Sequence, residues 1–194
     1  MNTLDYYNGN AKHYFDTTVN ADMSKQYEFF LKYVKEQGKI LDMGCGSGRD
    51  SLFFKNKGYK VDAIDGSSEL CKLAREYTGI DVKCMKFEDL DMFNEYDGIW
   101  ACASLLHVDK KLLLEVLKKI RDALKIDGVL YTGFKNGTGE EVTKEGRYFN
   151  YLTYDNFLEV SSNAGLEIID FNSSKSVSNP NETHYWNNYV LKKK

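Results

Sequence analysis

Apolar positions fall along the chain in two alternating patterns. Residues 40–43, 61–64, 82–85 and 98–102 are brief apolar runs bounded by glycine or polar residues, and 129–134 is a fifth. Runs this short predict strands buried on both faces. Helical stripes lie between them. Residues 49–57 read as a helix stopped by Gly58. Ser67 or Ser68 caps a helix with Leu70, Leu73, Ala74 and Tyr77 on one face, ending before Gly79. Asp109 caps the clearest helix, where Leu113, Val116, Leu117, Ile120 and Leu124 follow the 3.6-residue period with lysines opposite, and Gly128 ends the region.

Strand–helix alternation predicts a parallel sheet with helices on both faces. Such sheets bind ligands beyond the carboxyl ends of their strands, near the point where strand order reverses. The two ends of the chain depart from the alternation. Residues 24–37 place Tyr27, Phe30, Leu31 and Val34 on one helical face, and the aromatic, polar stretch 4–15 is a weaker helix. After the fifth strand, Thr153 caps a helix running through Ala164 and closed by Gly165. Residues 166–171 and 185–191 are then two strands joined by a polar connection, 172–183, which holds the lone Pro180. Strands without a crossover helix pair antiparallel or lie apart. The expected fold is α/β: a three-layer sandwich with a seven-stranded, mostly parallel sheet and an antiparallel last strand. A single domain over 1–194 accounts for the whole pattern.

Composition narrows the function classes. The chain has 194 residues with a net charge of −3, so no strong attraction to nucleic acid is expected. No run approaches the ~20 apolar residues of a membrane span, and residues 1–16 lack the apolar core of a signal peptide. A cytoplasmic protein with no nucleic-acid or membrane partner is expected; oligomeric state is not readable. Cys45, Cys71, Cys84 and Cys102 form no Cys-x-x-Cys pair and no zinc spacing, so they read as small buried or half-buried thiols and no metal is expected.

The chemistry-bearing motif is Asp42-Met43-Gly44-Cys45-Gly46-Ser47-Gly48-Arg49, which follows the first strand and opens a helix. Glycines let backbone approach a ligand without a Cβ in the way, and a helix start offers free N–H groups. Asp65, followed by Gly66 and Ser67, ends the second strand about twenty residues on, where a carboxylate can accept both hydroxyls of a ribose.

The Asp42-x-Gly44-x-Gly46-x-Gly48 pattern resembles motif I of class I S-adenosylmethionine-dependent methyltransferases, and the likeness runs from about Tyr6 to Leu191. It implies the Rossmann-like methyltransferase fold, S-adenosylmethionine as cofactor and S-adenosylhomocysteine as product. It places Gly44, Cys45 and Gly46 under the amino-acid part of the cofactor and Asp65 on its ribose. The stretch 124–129, Leu-Lys-Ile-Asp-Gly-Val, is similar to the family's turn before the fifth strand, with isoleucine and aspartate replacing a proline and a glycine. The sequence Gly48-Arg49-Asp50 resembles a subgroup that includes tellurite-resistance methyltransferases and related small-molecule enzymes. There Arg49 pairs with the cofactor carboxylate; a salt bridge to Asp50 or Glu28 is the alternative.

Residues 1–37 resemble the amino-terminal helical cap over the cofactor. Tyr7 and Tyr14 either shield the sulfonium or simply pack on the domain. Phe87, Glu88 and Asp89 follow the third strand, where the family touches adenine, although the acids equally suit a solvated loop. Cys102 and Ala103, in the turn after the fourth strand, line the methyl group. His107 in the same turn is a candidate general base or a structural histidine. Arg147 and Tyr148 follow a polar loop, 136–145, and suit an anionic or aromatic acceptor or a plain surface loop. The expected reaction is methyl transfer to a small-molecule acceptor. Two rivals remain: an NAD(P)-dependent oxidoreductase, which shares the glycines and the ribose acid, and a non-catalytic cofactor-binding module.

Overall fold

The computed structural model describes residues 2–179 and 182–194. Five parallel strands come first: β1 (Lys39–Met43), β2 (Lys60–Asp65), β3 (Val82–Cys84), β4 (Tyr96–Ala101) and β5 (Leu124–Lys135). A short antiparallel ribbon, β6 (Glu140–Val142) and β7 (Tyr148–Asn150), stands apart. The chain ends in β8 (Leu166–Asn179) and β9 (Glu182–Lys193). The seven-stranded sheet runs β3-β2-β1-β4-β5-β9-β8. Its last strand, β9, is antiparallel to both β5 and β8. Strand order reverses beside β1, between β2 and β4, so the turns after these strands share one crevice.

Alternation along the strands sorts the core into two layers. Leu41, Met43, Ile99 and Leu130 face α6 (Lys110–Ala123) and α7 (Tyr154–Asn163), where Leu113, Leu117, Ile120 and Phe157 meet them. Ile40, Trp100, Val129 and Tyr131 face α3 (Ser24–Leu31) and α4 (Arg49–Asn56), packing on Tyr27, Phe30 and Phe54. A third cluster, Ala63, Cys71, Ala74 and Val82, seats α5 (Ser68–Thr78) on β2 and β3. The caps act locally: Ser67 Oγ accepts from Leu70 N, Asp109 from Lys111 N, and Thr153 Oγ1 from Asn156 N.

Several elements differ from the sequence pattern: Leu124, expected on the helix, opens β5, and the polar loop 136–145 contains β6. The helix expected over 24–37 ends at Leu31, because residues 32–37 turn and Gln37 takes a positive φ of 57° to enter β1. The stretch 4–15 is two helices, α1 (Thr3–Gly9) and α2 (Ala11–Thr18), separated at Asn10. The polar connection 172–183 is mostly strand. Asn172, Ser174 and Asn188 hydrogen-bond across β8 and β9, so polar side chains replace the alternation that marks a half-buried strand. Pro180 lies outside the described residues. Among the described residues no helix is long and apolar enough to cross a membrane.

Candidate active site

The glycine turn is anchored before it meets any ligand. Gly44 N and Cys45 N both donate to Ile64 O, at 2.9 and 3.0 Å, tying the end of β1 to the end of β2. Gly44 has φ +83° and a Cβ there would sit 2.5 Å from Ser104 Cβ; Gly46 has φ +54° and would meet Tyr14 Cε1 at 3.0 Å. Neither site tolerates a side chain, so bare backbone faces the crevice.

Asp65 completes this wall. Its Oδ2 accepts from Gly46 N at 2.9 Å and its Oδ1 from Ser67 N at 2.8 Å. Burial raises its pKa, and the two amide hydrogen bonds oppose that shift. Each carboxylate oxygen keeps a further lone pair. The carboxylate is therefore fixed in direction by the glycine turn and by the cap of α5.

A cavity of about 230 Å³ lies at these strand ends. Its floor is Gly44, Gly46, Asp65 and Gly66; Lys86, Phe87 and Glu88 form one side and Cys102, Ala103, Ser104 and His107 another. Ala103 carries a positive φ of 50°, an uncommon conformation for alanine that turns the chain sharply after β4. Helices α1 and α2 form the cover, through Thr3, Leu4, Tyr7 and Tyr14. The cover is fastened on both sides. Thr3 Oγ1 accepts from Tyr148 N at 2.9 Å, and Asn8 Oδ1 accepts from Ser67 Oγ at 2.8 Å.

Thus Tyr14, Gly44, Gly46, Asp65, Gly66, Phe87, Glu88, Cys102, Ala103 and His107 come together around one space. Ser67 adjoins it as the cap that orients Asp65. Other expected residues point elsewhere. Asp42 is 1% exposed and accepts from Ser51 Oγ at 2.5 Å, binding β1 to α4; burial and the neighbouring Asp50 push its pKa up. Cys45 is buried in the cluster under α5. Asp89 ends a 3-10 turn and is exposed outside the cavity lining.

Arg49 takes the alternative pairing. Its Nε and Nη2 donate to the two oxygens of Asp50 at 2.6 and 2.9 Å, and Nη1 donates to Thr18 O at 3.2 Å. The fork is thus occupied by the next residue, within the fold and not on its surface. Tyr148 also turns away: its hydroxyl donates to Glu140 and accepts from Lys110 N, while its backbone carbonyl reaches His107. Arg147 stacks 4.6 Å over the Tyr6 ring and 5.5 Å over Phe149.

His107 is half-buried between two partners. Nδ1 lies 2.7 Å from Tyr148 O and Nε2 lies 2.9 Å from Tyr7 Oη. Burial lowers its pKa to about 4. Of the cysteines, Cys45 and Cys71 are buried and Cys102 half-buried, but Cys84 is exposed, unlike the expectation from sequence. Among the described residues no group of three or more His, Cys, Asp or Glu could hold a metal ion. Thr3, Leu4, Leu70 and Val108 also line the cavity; nothing in their residue types signals a ligand. Asp50 was expected only as an alternative partner of Arg49; that it also gathers Tyr27 and Trp100 carried no sequence signal.

Comparison with known proteins agrees with this geometry. Residues 40–128 match the family model described as a methyltransferase domain. An uncharacterized methyltransferase of Staphylococcus carnosus is 28% identical over 124 residues, 60% of this chain, and the chain spans 60% of that relative's length. Among solved structures, the Burkholderia thailandensis 1,6-didemethyltoxoflavin-N1-methyltransferase superposes with a TM-score of 0.78 at 20% identity, covering 98% of this chain and 85% of that one. A TehB-like S-adenosylmethionine-dependent methyltransferase of Corynebacterium glutamicum superposes with a TM-score of 0.72 at 20% identity, covering 96% and 99%. Residues 40–128 are thus similar to a methyltransferase domain, and the chain has the fold of the S-adenosylmethionine-dependent methyltransferases.

Proposed function

We propose that the chain transfers a methyl group from S-adenosylmethionine to a small-molecule acceptor in the cytoplasm, acting as one domain without nucleic acid or membrane. The observation that carries this reading is Asp65, whose two oxygens are fixed by Gly46 N and Ser67 N at the edge of the cavity. A carboxylate held this way is ready to accept two vicinal hydroxyls. Gly44 and Gly46 line the same cavity with backbone, where the amino-acid end of the same ligand would lie. Phe87 and Glu88 lie on the side that would receive its base, and Cys102 and Ala103 on the side of its methyl group.

When bound, S-adenosylmethionine supplies the electrophilic methyl. The chain's own work is then to orient and to exclude water. Leu4, Tyr7 and Tyr14 close the cavity from above. Holding donor and acceptor in line accounts for ~7–11 kcal/mol of barrier lowering. A small acceptor suits a cavity of about 230 Å³, and the Burkholderia neighbour is named for methylating a small molecule. Arg147, held over the Tyr6 ring, brings a positive charge beside Tyr7 of the cavity wall.

Calorimetry tests the reading. S-adenosylmethionine and S-adenosylhomocysteine should bind and NADH should not; NADH binding alone would point to the oxidoreductase instead. A screen of acceptors with radiolabelled S-adenosylmethionine separates an enzyme from a silent binding module.

A further inference from the structure

The hydrogen positions around His107 follow from its partners. A carbonyl oxygen only accepts, so Nδ1, 2.7 Å from Tyr148 O, carries the ring hydrogen. In the neutral ring Nε2 is then a bare lone pair, and the group facing it at 2.9 Å, Tyr7 Oη, must be the donor. The ring is kept neutral chiefly by burial; the Tyr148 carbonyl opposes this, and the charges of Arg147 and Lys135 reinforce it. Tyr7 and His107 both line the cavity.

The single hydrogen of the Tyr7 hydroxyl is thereby committed inward. What this oxygen can offer the cavity is a lone pair. Burial above all pushes the Tyr7 phenol up to about 12. The Arg147 guanidinium, close enough to hydrogen-bond the oxygen, opposes the shift and Asp65 and Tyr6 add to it, so the phenol keeps its hydrogen. Ser104, the neighbouring hydroxyl on the wall, likewise gives its hydrogen away, to Met43 O at 2.7 Å. The Nε2 lone pair of His107 is covered, so an acceptor reaches this base only through Tyr7.

We infer that Tyr7 is the group that meets the methyl acceptor, as a hydrogen-bond acceptor backed by His107, so the acceptor is a neutral nucleophile carrying its own N–H or O–H hydrogen. This rests on the methyl-transfer reading. The step balances as follows. The acceptor heteroatom forms its bond to the methyl carbon as the carbon–sulfur bond breaks, with the bonding pair staying on sulfur. The heteroatom's hydrogen passes to Tyr7 Oη, and the hydrogen of Tyr7 passes to His107 Nε2. Methylation makes a neutral O–H or N–H nucleophile strongly acidic, so even a weakly basic imidazole serves as the sink. An attacking atom with no hydrogen of its own, such as a tertiary amine nitrogen or the tellurium of tellurite, would set lone pair against lone pair at Tyr7.

Two measurements test this, one of them independent of turnover. Nitrogen-15 NMR of His107 in the S-adenosylhomocysteine complex should show the neutral Nδ1–H form, with the Nε2 resonance shifted in Tyr7→Phe. An Nε2–H tautomer overturns the assignment. Turnover is then read with radiolabelled S-adenosylmethionine on phenols, ring N–H heteroaromatics and primary amines, set against tellurite and N,N-dimethylaniline. Methylation should be confined to the first group. Tyr7→Phe should lower kcat at least about 100-fold with S-adenosylhomocysteine affinity within about threefold, and His107→Gln should lower kcat and flatten its pH profile. Comparable methylation of tellurite or the tertiary amine, or full kcat in Tyr7→Phe, overturns the inference while leaving methyl transfer intact. No methylation of any acceptor by protein that binds the cofactor overturns the methyl-transfer reading, and the inference with it.

Discussion

Trp100 Nε1 donates to Asp50 Oδ2 at 2.9 Å, joining the middle of the sheet to the first turn of α4. The same carboxylate accepts from Tyr27 Oη at 2.5 Å and from the Arg49 fork. One buried anion therefore holds three elements: α3, α4 and β4.

Removing that anion leaves the half-buried Arg49 without its partner. Asp50→Ala should cost roughly 3–5 kcal/mol in urea unfolding, the range for breaking one side of a buried pair. Arg49→Lys should also lower stability, because lysine cannot span both oxygens. Its affinity for S-adenosylhomocysteine should stay within about threefold; a much larger loss at unchanged stability would return Arg49 to the cofactor.

Asp65→Ala tests the other carboxylate. Charge-assisted hydrogen bonds contribute ~1.5–3 kcal/mol each, so calorimetry should show cofactor binding weakened at least about tenfold. Circular dichroism should remain that of the folded chain. Unchanged affinity would remove Asp65 from the ligand.

Gly44→Ala should fail more broadly. Its backbone lies at φ +83° and the new methyl would meet Ser104 Cβ at 2.5 Å. Strain in this region costs ~1–3 kcal/mol. A lower unfolding midpoint together with weaker S-adenosylhomocysteine binding is expected, and a variant equal to the parent in both would show the turn to be pliant.

Much of this was legible. The glycine turn, Asp65 and the alternating strands each carry a local signal, because tight turns and buried strands restrict residue type. The parallel character of the sheet followed from the strand–helix alternation, whereas the strand order β3-β2-β1-β4-β5-β9-β8 came only with the fold. The choice among the partners open to Arg49, and the direction of Tyr148, were not legible. Arg49 suits a ligand carboxylate and a protein carboxylate alike, and only the fold brings Trp100 and Tyr27 to the same Asp50. Tyr148 sits on a two-residue-period ribbon, and its register alone decides which way the phenol points. The polar strand 172–179 hid as a loop because its pairing rests on asparagine and serine.

His107 also predicts a pH dependence. Its folded pKa of about 4 lies below the ordinary value of 6.5. As pH falls through the ordinary value, the unfolded chain takes the proton first, so stability is complete above it and drains away until the folded ring titrates. The loss amounts to about 3 kcal/mol. The buried Asp42 and Asp65, whose pKa values are raised, act in the opposite sense. The readout is therefore the difference between parent and His107→Gln in chemical unfolding at successive pH values. The variant should lose less stability on acidification, and parallel curves would contradict the neutral ring.

The fastening of α1 at Thr3 and at Asn8 has a practical consequence for how the protein is handled. These residues stand within the first nine of the chain, so anything fused ahead of them pulls on the wall of the ligand chamber itself. The other terminus is differently placed: Lys192 pairs with Val129 near the start of β5, at the end of the sheet away from the chamber. An affinity tag attached after Lys194 leaves the chamber undisturbed. One placed at the front should speed release of S-adenosylhomocysteine in stopped-flow measurements, and cleaving it off should restore the slower rate.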